Sequence, residues 1–476
     1  MSRLDRLRGY YVRSPRWVQS TAGRLLAFAP PRVLYGRAYW RWRADIERSR
    51  DDDAFVESRL RRALATILAS AAETPYYADL PAMRHQPTPT LEGLRTLPVL
   101  TREDVRRHAD DMLARSRDEM DEVTTGGTSS MAPLTFYLDR DRSVREWAFL
   151  TLLWGRIGYC PGDRIAVLGY RGVTHLKNVA TKPWAWEPGM RELRLSPFRM
   201  VPAVMDAYLE LLGRYKVKFI YAYPSAVTLL ASHARDIGWR PPAALRGILL
   251  MSEAVRPHQQ ELMEQGFPGL SILGGYGLSE KVAIAGELPD RPGEYEFEPL
   301  YGYAELVDEA GIPIDEPGRS GRLIGTGFIS TGMPLIRYDT GDLAKLVRLP
   351  SPQNCWRLRV RDITSRHSQD YLVTREGGLI AHTVLYPHNR AARECQFVQD
   401  EPGLAILRLV PEPGATQEDL DEIVDAANAR ADGLLKVSLE IVDEIEGTAR
   451  GKKLLVLQRL DLSDFGLQDS LMEPPR

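Results

Sequence analysis

The spacing of apolar positions changes along the chain, and the changes divide it. Over residues 54–72 they recur every three to four positions, the period of a helix with one buried stripe. The stripe ends ahead of Thr74-Pro75, where the residue before a proline is pushed out of the helical region. Thr101, with Asp104 three residues on, predicts the N-cap of a second, short helix. Helical and strand-like segments then alternate: helix 142–155, strand 164–168, helix 201–215, strand 219–221, helix 225–237, strand 247–250, helix 256–265 and strand 270–273. This rhythm predicts an α/β fold wound around a largely parallel sheet. Ligands of such folds sit beyond the carboxyl ends of the strands, which here carry Tyr223-Pro224-Ser225, Ser252-Glu253 and the stretch 274–280.

After about Tyr295 the pattern turns to short strands punctuated by glycine and proline, including 322–326 and 342–347, as in a small β-rich subdomain. From about residue 366 the order strand, strand, helix 417–430, strand 437–442 reads as a separate compact α+β domain. The expected division is an arm over 1–50, a large domain over 51–365 and a small mobile domain over 366–476.

The arm stands apart in composition. Its arginines outnumber its acids, and Tyr10, Tyr11, Trp17, Tyr35, Tyr39, Trp40 and Trp42 lie among them. Such a mixture suits peripheral contact with a membrane surface or an acidic partner, or packing on its own domain with arginine stems over apolar surface. Pro15, Pro30 and Pro31 are expected to break any long amphipathic helix there, which favours packing.

Composition narrows the rest. The 476 residues are 44% hydrophobic and 26% charged with a net charge of -2, as in a globular protein of two or three domains without the basic excess of a nucleic-acid binder. Cys160, Cys355 and Cys395 lie too far apart for a disulfide framework or a paired-cysteine zinc site. With no apolar run long enough to span a bilayer and no apolar signal core, the expected location is a reducing cytoplasm.

Candidate chemistry begins at 123–133, Val-Thr-Thr-Gly-Gly-Thr-Ser-Ser-Met-Ala-Pro, ahead of an expected strand over 134–138. Successive N–H groups in such a loop form a concave anion site, and its hydroxyls add donors or ligate phosphate-bound magnesium. It lacks the glycine-lysine ending of a Walker-type loop, and by itself it also suits a polar turn.

Four further segments sharpen the reading: Tyr276-Gly277-Leu278-Ser279-Glu280; the run from Pro334 to Asp342, Pro-Leu-Ile-Arg-Tyr-Asp-Thr-Gly-Asp; Arg366 with Asp370; and Gly451-Lys452. In this order and spacing they resemble the acyl-adenylate-forming superfamily, and within it the phenylacetate:CoA ligase-like branch that includes the CapK proteins. The resemblance covers most of the chain, from about Ala54 to about Leu460. It implies a large adenylation domain of wound mixed sheets with a small β subdomain, a mobile α+β lid, and the use of ATP, magnesium and, as acceptor, coenzyme A.

By that resemblance Thr125, Gly126, Gly127, Thr128, Ser129 and Ser130 wrap the β- and γ-phosphates, with Thr128 counted among the catalytic groups. Glu280 holds magnesium; Asp342 accepts hydrogen bonds from the ribose hydroxyls; Arg366 lies on the ribose side. Ser252, Glu253, Tyr276 and Gly277 approach adenine, and Tyr276 alternatively lines the acyl pocket. Lys452 reaches the carboxylate and α-phosphate and stabilises their charge in the transition state, and Asp370 is the hinge acid. For the acid, Tyr170, His175, Trp184, Trp186, Tyr223 and Ser225 are expected to line an aromatic pocket suited to a flat apolar substrate.

Two departures stand out. Ser130 replaces the last glycine of the loop, with one extra residue before Pro133, and Ser365 replaces the glycine usual before the arginine. A lost glycine restricts positive φ, so the phosphate grip is expected to differ. The expected reaction is acid activation as acyl-AMP, then transfer to coenzyme A. The alternatives are transfer to a carrier-protein thiol, an amine or a sugar hydroxyl, or a non-catalytic assembly protein on the same fold.

Overall fold

In a computed structural model of the chain the described residues are 23, 29–84, 87–124, 134–169, 182–197, 200–252, 255, 257–365, 371–385, 391–412, 414–445, 456–461 and 465. Two antiparallel strands, β1 (Met120–Thr124) and β2 (Thr135–Asp139), form a hairpin. Next come β3 (Ile165–Leu168), β4 (Trp184–Glu187), β5 (Glu192–Leu195), β6 (Phe219–Ala222), β7 (Gly247–Leu250) and β8 (Ser271–Gly277). They are followed by β9 (Ile284–Leu288), β10 (Arg291–Phe297), β11 (Gly302–Val307), β12 (Ser320–Gly327), β13 (Tyr338–Arg348) and β14 (Arg359–Ser365). From β3 on these make one twelve-stranded sheet in the order β11-β12-β13-β14-β10-β9-β8-β7-β6-β3-β5-β4.

Strand β8 joins the two halves. Its first residues run parallel to β7, with Gly247 opposite Ser271, and its last run antiparallel to β9, with Tyr276 opposite Ala285. The expected small β subdomain is therefore continuous by hydrogen bonds with the parallel half. Gly274, Gly275 and Gly277 fall at the changeover, where a strand without side chains bends at low cost.

On the parallel half, successive residues alternate between two cores, as strand geometry demands. Ala166, Leu168, Ile220 and Ile248 join Leu209 and Leu212 of α5 (Pro202–Arg214) and Leu230 of α6 (Pro224–Asp236). Val167, Phe219 and Leu249 face Leu150, Leu153 and Trp154 of α4 (Arg142–Trp154). That second face is covered further by α1 (Pro31–Arg48) and α2 (Asp53–Ala72), through Tyr39, Ile46, Val56, Leu60 and Leu64. Pro31 opens α1, where its missing N–H costs nothing, and the interruption within α1 comes at Gly36, with φ of 73°; Pro15 lies outside the described residues. The Tyr39 hydroxyl meets Thr151 Oγ1 at 2.6 Å, so this part of the arm packs on its own chain.

Helix α3 (Arg102–His108) has the expected cap, Thr101 and Asp104 closing a reciprocal box. Helix α7 (Pro257–Gly266) precedes β8. Beyond residue 370, β15 (Tyr371–Val373) pairs with β16 (Leu379–Ala381), and β17 (Ala392–Glu401), β18 (Leu404–Pro411), β19 (Lys436–Ile441) and β20 (Val456–Gln458) form a sheet in the order β19-β18-β17-β20. Helix α8 (Gln417–Ala431) sets Leu420, Ile423 and Ala427 against Phe397, Leu407 and Leu409 of that sheet. Among the described residues no helix is long and apolar enough to cross a membrane.

Candidate active site

The segment from Pro334 to Asp342 contains a support and a working end. In the support, the Tyr77 hydroxyl donates to Pro334 O at 3.0 Å and accepts the Ile336 N–H at 3.2 Å. Leu100 brackets Tyr338, its N–H bonding Arg337 O and its carbonyl the Asp339 N–H, both at 2.9 Å. Arg337 is buried with a left-handed φ of 51°. Its guanidinium pairs with Glu305 at 2.8 Å and donates to the carbonyls of Leu97, Arg95 and Gly311 at 2.7, 3.2 and 3.1 Å. Its donors are thus turned to the scaffold.

The working end is a bulge. Leu343 pairs with Arg322 while Asp339 pairs with Ile324, so residues 340–342 of β13 pass a single residue of β12. Gly341 takes a φ of 78°, and the Thr340 hydroxyl donates to Leu323 O at 2.8 Å. Asp339 is held by Arg322 at 2.7 Å and accepts the Gly341 N–H at 3.0 Å. Such a bulge re-aims one side chain, and here that side chain is Asp342, on a strand and not in the turn its sequence also allows.

Asp342 Oδ2 accepts a 2.7 Å hydrogen bond from the hydroxyl of Tyr276, which stands on β8 just past the changeover with its ring edge-on to Phe297 at 5.6 Å. Burial first, and then the charge of Asp342, push the Tyr276 phenol well above its ordinary range, so it stays a donor at neutral pH. Close by in sequence, buried Glu280 accepts the Tyr338 hydroxyl at 2.9 Å. Burial and the Glu280 charge likewise raise the Tyr338 phenol. Among the described residues Glu280 meets no cationic side chain, and its neighbour Lys281 pairs instead with Glu146 of α4 at 2.6 Å. A buried carboxylate so placed suits a cation, and Mg²⁺ characteristically takes one or two carboxylates plus phosphate oxygens. No group of three or more potential ligands that could hold a metal by themselves occurs among the described residues.

The remaining sequence candidates divide three ways. Thr125, Gly126, Gly127, Thr128, Ser129, Ser130, Tyr170, His175, Glu253, Arg366, Asp370 and Lys452 lie outside the described residues, as does the side chain of Ser225 in the first turn of α6. Two of these groups are bracketed by described neighbours. Thr124 pairs with Thr135 at the mouth of the β1–β2 hairpin, and Asp139 at its far end accepts the N–H groups of Thr331 and Gly332 at 2.9 and 3.2 Å, a few residues before Pro334. Ser365, the residue before Arg366, pairs with Asp342. Residues 120–124, which run into the loop, form strand β1.

A second group sits at strand ends. Ser252 follows β7 with a left-handed φ of 73°; it does not start a helix, since α7 begins at Pro257. Gly277 is the last residue of β8. Tyr223 follows β6 and packs both on the core of the parallel half and on the core of the C-terminal sheet. The third group is displaced. Trp184 and Trp186 lie on the edge strand β4, Trp184 edge-on to Tyr215 at 6.1 Å and Trp186 stacked on it at 4.7 Å, with β5, β3, β6 and β7 between them and β8. At about 4.8 Å per strand this is on the order of 24 Å from Tyr276, so the two tryptophans do not join it in one pocket.

What the sequence reading missed is a small apolar cavity beside β8. It is lined by Leu150, Leu153 and Trp154 of α4, Leu250 and Met251 at the end of β7, Leu273, Gly274 and Gly275 of β8, and Ala285 and Gly286 of β9. The glycines are needed: a Cβ on Gly274 would stand 2.4 Å from the Tyr295 hydroxyl, and one on Gly286 2.9 Å from Leu153 Cδ2. Glycines inside strand patterns are the signal that could have found it.

The architecture is that of the adenylate-forming enzymes. A crystal structure of 2-hydroxyisobutyryl-CoA ligase in the postadenylation state superposes with a TM-score of 0.51 and 18% identity, covering 88% of this chain and 93% of that one. Residues 372–459 match the CapK C-terminal domain. The chain is 22% identical to protein CapK of Staphylococcus aureus over 377 residues, 78% of this chain and 81% of that protein. It is 26% identical to a phenylacetate-coenzyme A ligase of Thermus thermophilus over 401 residues, 78% of this chain and 85% of that protein. In sequence the chain is thus similar to CapK and the phenylacetate-coenzyme A ligases, and in fold to an acyl-CoA ligase.

Proposed function

We propose that the chain activates a carboxylic acid as its acyl-adenylate, releasing pyrophosphate, and then passes the acyl group to coenzyme A. The observation that carries this reading is the juxtaposition, across the changeover strand, of the Tyr276–Asp342 pair with buried Glu280. The named activities of the phenylacetate-coenzyme A ligase relatives support it.

Asp342, presented by its bulge, accepts the two ribose hydroxyls with its two carboxylate oxygens, and Tyr276 orients it. Glu280 contributes oxygen to magnesium, whose role is to neutralise phosphate charge. Loop residues 125–130 donate N–H and hydroxyl groups to the phosphates, and Arg366 flanks the ribose. Lys452 places positive charge against the attacking carboxylate and the α-phosphate, where charge develops. The segment 366–476 acts as a lid turning about Asp370, so that one site serves both half-reactions. The apolar cavity beside β8, widened on binding, takes the non-reacting part of a small apolar or aromatic acid.

A panel of acids incubated with ATP and magnesium tests this through pyrophosphate release, with and without coenzyme A. Release with at least one apolar acid is expected, falling by about 10²–10³ in Lys452→Ala. For Asp342→Ala the expected signature is a raised KM for ATP. No release with any acid, or kinetics unchanged by both substitutions, would overturn the reading.

A further inference from the structure

A second, larger cavity shares no residue with the Tyr276, Asp342 and Glu280 constellation. Its volume is about 420 Å³, and its walls include Arg50, Arg156, Arg348 and Arg357, with Leu288 and Pro289 at the β9–β10 turn and Glu296 of β10. Four guanidiniums converge on that one glutamate: Arg359 at 3.0 Å, Arg348 at 3.1 Å, Arg156 at 3.7 Å and Arg357 at 3.9 Å. Glu298 is held by Arg357 at 3.1 Å and Arg156 at 3.4 Å, and Glu294 by Arg359 at 3.5 Å. With Arg50 the cluster has five arginines against three glutamates, an excess of two positive charges.

The excess is not spent within the chain. The Arg50 guanidinium makes no hydrogen bond or ion pair among the described residues, and Nε of Arg348 is buried without a partner. Burial first, and then neighbouring arginines, hold Arg348 below the usual guanidinium range. Burial also lowers Arg156, with Arg50 and Arg357 adding to it against the pull of Glu298 and Glu296. Crowded, partly desolvated cations of this kind are relieved by an anion, and the guanidinium fork fits phosphate with paired hydrogen bonds. The volume falls in the range of small-molecule sites, beyond what one tetrahedral anion needs, and Leu288 and Pro289 offer an apolar wall.

We propose that this cavity binds a small organic phosphate, its dianionic head between Arg50 and Arg348 and its carbon portion along Leu288 and Pro289. Arg156 connects the cavity to the other site, since it donates to Gly286 O at 2.5 Å and Glu287 O at 3.0 Å, and Gly286 lines the apolar cavity beside β8.

The full chain is melted while inorganic phosphate or glycerol 3-phosphate is titrated at constant ionic strength, which removes general screening. Both should raise Tm saturably, glycerol 3-phosphate at the lower concentration. In the Arg50→Gln/Arg348→Gln double variant the apparent affinity should fall at least about tenfold, each charged hydrogen bond being worth that much. Arg50→Gln alone, at an exposed and unpartnered side chain, should show part of the loss with Tm in chloride unchanged. No saturable shift in the wild type, or equal shifts in wild type and both variants, overturns the site. Inorganic phosphate binding as tightly as glycerol 3-phosphate overturns the organic-phosphate assignment. The readout is stability, so it stands or falls independently of acid activation.

Discussion

Two residues of one motif show how differently positions in a single run can be used. Arg337 directs its guanidinium to Glu305 and three carbonyl groups in a buried setting, whereas Asp342, five positions on, is re-aimed by a bulge toward the Tyr276 hydroxyl. Removing Arg337 leaves Glu305 buried, with the longer contact to Arg95, 3.5 Å, as its remaining ion pair. Breaking one side of such a pair costs about 3–5 kcal/mol. Arg337→Met should lower the unfolding free energy in urea by that amount, and Arg337→Met with Glu305→Leu should recover a good part of it. A loss under about 1 kcal/mol in the single variant would show that the arginine is not the strut described.

At the scale of elements, α1 packs on its own chain, the alternative favoured for the arm from its sequence. Its prolines read as breakers, but a proline in the first helical turn is tolerated, and only the tertiary context shows that Tyr39 and Ile46 are fully buried against α4 and α2. Of the described residues, deleting 1–28 removes only Gly23, which is buried. Deleting 1–50 should abolish cooperative unfolding, because two large buried side chains at about 1.5–3 kcal/mol each are lost along with the Ser49 partners of Arg357. A cooperative melt of the longer deletion would show that the arm is dispensable. Of the α/β elements from β3 to α7, all but β4 and β5 were legible, because their periodicity is local. Strand β1 was not, since Asp121 and Glu122 hide its alternation, and neither was the joining of the two sheet halves, which is set by the partners β8 finds on each side. Tyr276, Glu280 and Asp342, singled out by motif, are brought together by the fold, but nothing in spacing reveals that hydroxyls of Tyr276 and Tyr338 hold the two carboxylates. Trp184 and Trp186 were misplaced because aromatic content at a strand does not say which edge of a sheet that strand occupies.

The whole molecule carries an unusual load of buried phenols. Burial is the first cause of a raised pKa at Tyr39, Tyr76, Tyr77, Tyr159, Tyr276, Tyr295, Tyr301, Tyr303 and Tyr338, with Tyr76 and Tyr303 pushed up to about 12. A group whose folded pKa lies above its unfolded value keeps its contribution below the unfolded pKa, near 10, and loses it as pH rises toward the folded one. Between those values the unfolded chain gives up protons that the folded chain retains, so alkali favours unfolding. One such tyrosine contributes up to about 1.4 kcal/mol per pH unit, and the set together on the order of 10, comparable to the entire stability of a domain. Stability should therefore be flat from neutrality to about pH 9 and collapse within roughly one unit above 10, with tyrosinate absorbance and loss of ellipticity rising together in one cooperative step. Tyr301→Phe removes a phenol packed against Phe149 and should make the fall shallower by up to about 1.4 kcal/mol per pH unit. Gradual tyrosinate formation before any loss of structure would mean that these phenols ionise in the folded chain, and the burial argument would fail.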